Sequence, residues 1–233
     1  MPSLKQLRLT NFRNIGQASY NFDTPITIFT APNGSGKTNL LEAISILAPG
    51  KGLRMAEPAA LLKQGAPEWA VVAQLNGYKI ATGATKDAKK RTIKIDNEQQ
   101  KNSHILAEYS NCIWLTPQMD GVFLADKGHR RKFFDRLIYN FDSGHASRIN
   151  AYEKAMRERL HLLKNGLMDK LWLTSLEHKM AEYASAIAAS RVEIINLLQE
   201  AINAATTSFL KPQITINGKY EQLLLSTNAL TLE

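Results

Sequence analysis

The octapeptide Ala31-Pro32-Asn33-Gly34-Ser35-Gly36-Lys37-Thr38 constrains this chain more than any other stretch. It meets the phosphate-gripping pattern G-x-x-x-x-G-K-[ST] at every fixed position except the first, where Ala stands for Gly. That position starts the loop and needs a small side chain, whereas Gly36, beside the phosphate, is kept. The upstream run "ITIFT", Ile26 to Thr30, is apolar and β-branched and reads as a buried strand. Downstream, Leu40, Leu41, Ile44 and Leu47 recur at helical spacing until Pro49 and Gly50. Strand, glycine-rich loop and helix in that order place the chain among α/β folds with a nucleotide site. Successive backbone N–H groups of such a loop close around a β-phosphate, and the new helix aims its unpaired donors and positive dipole end at the same oxygens. Lys37 would reach the β- and γ-phosphates, and the Thr38 hydroxyl would ligate Mg²⁺. The alternative, a glycine-rich turn capping an ordinary helix, does not account for Lys-Thr in that context.

Elsewhere the periodicity divides the chain. "SLKQLRLTNF" reads as a strand with Leu4, Leu7 and Leu9 apolar. From Trp69 to Gln100 the pattern is antiparallel β, with "EWAVVAQL" and "YKIATGA" flanking the hairpin dipeptide Asn76-Gly77 and "TIKI" closed by Asp96-Asn97. "CIWLT", Cys112 to Thr116, reads as a further short strand ended by Pro117. From Arg130 the chain turns helical: Ile149, Tyr152, Met156, Leu160 and Leu163 lead to the stop Asn165-Gly166. A longer stripe follows, Leu173, Leu176, Met180, Tyr183, Ile187, Ser190, Ile194, Leu197, Ala201 and Ala204, in steps of three and four. One helix from Trp172 to Phe209 would be about 57 Å long and would project as an arm, with the preceding helix as its antiparallel partner. After Pro212, "QITINGKYEQLLL" reads as a return to β. The predicted organisation is residues 1–129 as the phosphate-loop half of a head with an antiparallel β subdomain, 130–211 as a helical arm, and 212–233 as a return strand.

The formal charge of +8 suits an anionic partner such as nucleic acid. Two basic clusters stand out: Lys86, Lys89, Lys90, Arg91 and Lys94 in one β-turn, and Lys127, Arg130, Arg131, Lys132 and Arg136 at the start of the helical part. Either would contact phosphates or simply be a solvated face. No aromatic residues interleave to stack bases, so sequence-independent backbone binding is the expectation. The single cysteine, Cys112, builds neither disulfide nor zinc site and reads as buried core. No signal-peptide h-region and no run near the ~18 apolar residues of a membrane helix is present, which points to the cytoplasm.

Taken together, "LRLTNFRN", "APNGSGKTNLLEAISIL", "GKGLR", "WLTPQMDGVFLADKGHRRKFFDRLIYNFD" and "RINAYEKAMRERLHLL" resemble the RecF family of ABC/SMC-type ATPases, in the right order over nearly the whole chain. The resemblance implies an ABC-like head with a long, coiled-coil-like helical domain. It further implies ATP and Mg²⁺ as ligands, an ATP-dependent homodimer, and engagement of duplex DNA near single-strand gaps. Work with RecO and RecR to load a recombinase, in replication, repair and the SOS response, follows from it too. By matched motif, Ala31 to Thr38 carry over as the ATP-binding stretch. Arg13 of "NFRN" would approach the nucleotide or be a surface arginine beside a strand. Gln118 after "WLTP" would sense metal and water or be a plain loop residue.

Two family elements are not visible: the serine- and glycine-containing signature and the strand ending in acidic residues. "LSTNA", Leu225 to Ala229, lacks the signature's glycine and reads as strand. No catalytic residue is assigned, and the chain reads as a truncated member in which phosphate contacts give binding with little hydrolysis. Two other readings stand beside this one. A catalytically inactive remnant would bind only DNA or partners, and a small-molecule phosphotransferase would share the loop but not the hairpins or arm.

Overall fold

Three tight turns set the first half of the fold in the computed structural model, which describes residues 4–166 and 169–226. Each holds residues in the left-handed region: Arg13 (φ 56°) between β1 (Leu4–Phe12) and β2 (Ile15–Asn21), Asn76-Gly77 between β3 (Glu68–Leu75) and β4 (Tyr78–Thr85), and Asp96-Asn97 between β5 (Thr92–Ile95) and β6 (Glu98–Gln100). The second and third pairs have φ > 0 at both positions, the geometry that lets a two-residue hairpin follow strand twist. The result is a six-stranded antiparallel sheet in the order β2-β1-β3-β4-β5-β6.

One sheet face is buried by strict alternation: Leu7 and Leu9, then Trp69, Val71 and Ala73, then Ile80, Thr82 and Ala84, then Ile93 and Ile95. Against it pack Leu40 and Ala43 of α1 (Lys37–Ser45), followed by Ile46 and Leu47, and Leu106 of the short α2 (Leu106–Tyr109). Phe12 and Trp69 meet edge to face with ring centroids 5.5 Å apart, and the Trp69 indole donates to the Pro58 carbonyl.

The described residues fall into two compact units that divide between Leu124 and Ala125. In the second, α3 (Lys127–Ile138) begins at an Asp126 cap whose carboxylate accepts from the Gly128 and His129 N–H groups. The antiparallel pair α4 (His145–Lys164) and α5 (Lys170–Ala204) follows, packed through Ala155, Leu162 and Leu176, with Leu173 and Met180 beside them. At 35 residues, α5 is about 52 Å long. Ser190, the one polar position in its stripe, is buried with its hydroxyl on Asp142.

Three strand expectations fail. Residues 26–30 and 112–116 form no ladder, and Ile28 and Leu115 are 81 % and 79 % exposed. β propensity needs a neighbour to pair with, and the sheet's hairpins supply none to either run. Phe29 alone anchors its segment, edge to face with Tyr20 and Phe22. After Pro212 the chain forms α6 (Lys219–Ser226) in place of a return strand, because Glu221 on that helix pairs with Arg191 of α5 and a helix satisfies its own backbone. Ala229 and the rest of the "LSTNA" run beyond Ser226 lie outside the described residues.

Candidate nucleotide site

The loop Ala31–Gly36 leads directly into α1. Gly34 (φ 83°) and Gly36 (φ 102°) are both left-handed, a conformation an L side chain adopts only with strain. Gly36 is doubly constrained: a β-carbon there would lie 2.9 Å from Oδ1 of Asn14. As N-cap, Gly36 offers no side-chain oxygen to the first turn, so the leading N–H groups of α1 are left for another acceptor. Lys37 bends back across the loop and donates to the carbonyls of Ala31 and of Pro32, the latter at 2.9 Å. Thr38 is exposed in the same turn. Open N–H donors, an ammonium beside them and an exposed hydroxyl fit the phosphates and metal of a nucleotide.

A polar scaffold that the sequence reading missed holds this helix in place. Glu42 of α1 is fully buried. Its Oε1 accepts from Arg13 Nη2 at 2.7 Å, and its Oε2 accepts from Arg13 Nε at 2.8 Å and Arg54 Nη1 at 3.0 Å. Arg13 also donates to the Ala60 carbonyl at 2.7 Å. Arg54 donates to Asn39 Oδ1, and Asn39 in turn donates to Asn14 Oδ1, each at 2.7 Å. Asn14, packed on Gly36, closes the chain of contacts from the β1–β2 turn to the phosphate loop. Arg13 is thus spent on the helix rather than left at the surface. The signal was present: a lone carboxylate flanked by Leu40, Leu41 and Ala43 invites a search for arginines.

The two basic clusters divide under the structure. On α3, Lys127, Arg131 and Lys132 are exposed, whereas Arg130 donates to the Ala125 carbonyl and Arg136 stands 5.7 Å over the Phe133 ring. Lys86, Lys89 and Lys90 of the β4–β5 turn and Lys94 of β5 are exposed, but Arg91 turns inward. Gln118 falls in a short 3₁₀ turn, Pro117–Gly121, and its side chain lies outside the described atoms. Among the described residues no group of three or more His, Cys, Asp or Glu is gathered for a metal, and no helix is long and apolar enough to cross a membrane.

Known proteins resemble the chain in sequence and in fold. The family model "RecF/RecN/SMC N terminal domain" covers residues 3–113. The DNA replication and repair protein RecF of Rickettsia felis is 39 % identical over 225 residues, 95 % of this chain and 62 % of that protein. RecF of Rickettsia bellii is 37 % identical over 228 residues, 96 % of this chain and 63 % of that protein. The chain therefore spans less than two thirds of these relatives. Among solved structures, the recombination mediator RecF with ATPrS, described in the RecFOR pathway, superimposes with a TM-score of 0.78 at 23 % identity. The corresponding RecF–ATP structure gives 0.76 at 25 % identity, each covering 86 % of this chain and 56 % of the other. The fold is the α/β, ABC/SMC-like ATPase head with its antiparallel subdomain, followed by long helices. With similarity along nearly all of its own length, though under two thirds of the relatives', and the same fold, the chain belongs to the RecF family.

Proposed function

We propose that this chain binds MgATP on Ala31–Thr38 and acts as a DNA-engaging mediator of recombinational repair. The observation that carries the reading is the open N-terminus of α1 at a left-handed glycine, with Lys37 and Thr38 in its first turn. Lys37 would trade the Ala31 and Pro32 carbonyls for phosphate oxygens, and Thr38 would hold Mg²⁺. When bound, Mg²⁺ neutralises phosphate charge, and the chain's own part is to grip and orient the phosphates. Glu42, the acidic residue of α1, is held by two arginines as part of the scaffold, and MgATP binding with little turnover is the expected behaviour of this chain. The relatives' printed names and titles support the wider reading. In it the chain acts on gapped duplex in the cytoplasm, with RecO- and RecR-type partners and an ATP-dependent second copy, in repair and the SOS response.

Titration calorimetry with MgATP tests the site. The wild type is expected to bind, and Lys37→Ala to bind roughly tenfold to a hundredfold more weakly, the scale of a lost charge-assisted contact. No binding by a demonstrably folded chain would leave the second reading, a remnant that engages only DNA or partners. Binding to gapped duplex that ignores ATP and survives Lys37→Ala would favour that remnant.

For DNA, the exposed trio Lys127, Arg131 and Lys132 is the proposed contact, with Arg130 and Arg136 holding the helix that presents them. Replacing all three with Ala should lower the slope of log affinity against log salt by about 2–3, at roughly 0.9 per contact. A slope that does not move would place the duplex on another surface.

A further inference from the structure

Arg91 enters the interior at the edge of the sheet. It precedes Ile93 and Ile95 at alternate positions, so its side chain points toward the same buried face. Nη2 donates to the carbonyls of Ala48 at 3.1 Å and Gly50 at 3.0 Å, and Nη1 donates to the Ile46 carbonyl and, at 3.4 Å, to Thr82 Oγ1. Those three carbonyls belong to the chain leaving α1, where unpaired acceptors and the negative end of the helix dipole gather. The turn there is tight: Gly50 is left-handed at φ 92°, and a β-carbon on Gly52 would sit 2.5 Å from the Ile46 side chain.

Burial pulls the Arg91 guanidinium down to about 10, still cationic at neutral pH. Among the described residues no carboxylate pairs with it. A buried cation without a counterion is unfavourable unless fixed dipoles replace water, and the end of α1 supplies them.

We propose that Arg91 is a positioning residue for the nucleotide site, fixing the C-terminal end of α1 and so the aim of the phosphate-binding N-terminus. α1 has nine residues, about 13 Å of helix, so a tilt at one end displaces the other by a comparable amount. The Arg13–Glu42–Arg54 scaffold pins the middle of the helix, and Asn14 packs at its start. Arg91 acts at its far end, beside the Leu53 N–H that donates to Ser45 Oγ at 2.7 Å. A planar fork that reaches three carbonyls defines a direction, which an ammonium does not.

The inference rests on the nucleotide reading above, and the experiment separates the two. MgATP affinity is measured by calorimetry on the wild type, R91M, R91K and I80V, at a temperature where each is folded. Amide hydrogen exchange is followed over Thr38–Ala43. Ile80→Val trims the same core cluster at a β4 residue and leaves the Arg91 hydrogen bonds in place, so it serves as the stability control. R91M is expected to bind MgATP roughly tenfold more weakly and to exchange faster at the start of α1, the scale of a displaced binding group. R91K should lose a few-fold, and I80V should bind like the wild type despite a lower Tm. A folded R91M, or R91K should R91M not fold, with wild-type affinity would overturn the role of Arg91 alone. Equal weakening in I80V would overturn it too, by reducing it to stability. No MgATP binding by the wild type would overturn the nucleotide reading and this role with it.

Discussion

Replacing Glu42 with Ala should destabilise the sheet-bearing unit by about 3–5 kcal/mol and abolish MgATP binding. Both carboxylate oxygens are engaged, by Arg13 on one side and by Arg13 and Arg54 on the other, in a side chain with no exposed surface. Removing the anion leaves the largely buried Arg13 guanidinium with the Ala60 carbonyl as its remaining protein acceptor. Arg54, 42 % exposed, can swing into water, so most of the loss comes from Arg13 and from the vacated volume. Binding suffers separately, since the Arg13–Glu42 pair is what ties the β1–β2 turn, with Asn14 on Gly36, to α1. Glu42→Gln keeps the shape and part of the hydrogen bonding and should fall between. Urea unfolding and MgATP calorimetry on both variants read the two effects apart. Stability within about 0.5 kcal/mol of wild type in Glu42→Ala, with ATP still bound, would dismiss the scaffold as incidental.

What could be read from the sequence was what local chemistry decides. Asn76-Gly77 and Asp96-Asn97 specify their turns by the left-handed residues they contain, and the strands on either side follow. The stripe from Leu173 to Ala204 specifies a long helix because thirty-odd residues of consistent spacing have no other solution. The phosphate loop is legible for the same reason, since Gly34 and Gly36 are required by the backbone itself. What pairing decides was not legible. Ile26 to Thr30 and Cys112 to Thr116 have the composition of strands, but composition does not name a neighbour. Lys219 to Ser226 is helical because Glu221 finds Arg191, thirty residues away in sequence. β2 went unread because the turn that creates it sits on Arg13, a residue with no turn preference of its own. Arg91 was grouped with its lysine neighbours by charge, although alternation with Ile93 and Ile95 already assigned it to the inner face.

Acid should unfasten the helical unit, and Asp135 is the residue that makes it do so. Asp135 of α3 accepts from Arg191 Nε and Nη2, each at 2.8 Å, and lies 3.1 Å from His145 Nε2 of α4. Arg191 also donates to Glu221 of α6 at 2.9 Å, so one buried network joins four helices. Burial works to raise the Asp135 carboxyl, but the His145 and Arg191 hydrogen bonds and the Arg191 charge outweigh it and hold the group below its ordinary value near 3.8. A carboxyl whose pKa is depressed on folding contributes stability that is fully present above the unfolded value and is lost as pH falls through the folded one. Asp142, held low by Ser190, Arg148 and the Gly144 N–H against the opposing effect of burial, acts in the same direction. The helical signal of the wild type should therefore keep its urea midpoint from pH 7 to about 5 and lose it steeply below about 4. Asp135→Asn removes the titrating group while keeping its shape. It should cost about 3 kcal/mol at pH 7, because Arg191 keeps only Glu221, and should flatten the acid limb. Urea midpoints by far-ultraviolet circular dichroism between pH 7 and 2.5 decide the matter. An acid limb equally steep in Asp135→Asn would shift the control to Asp142 and remove Asp135 from the account.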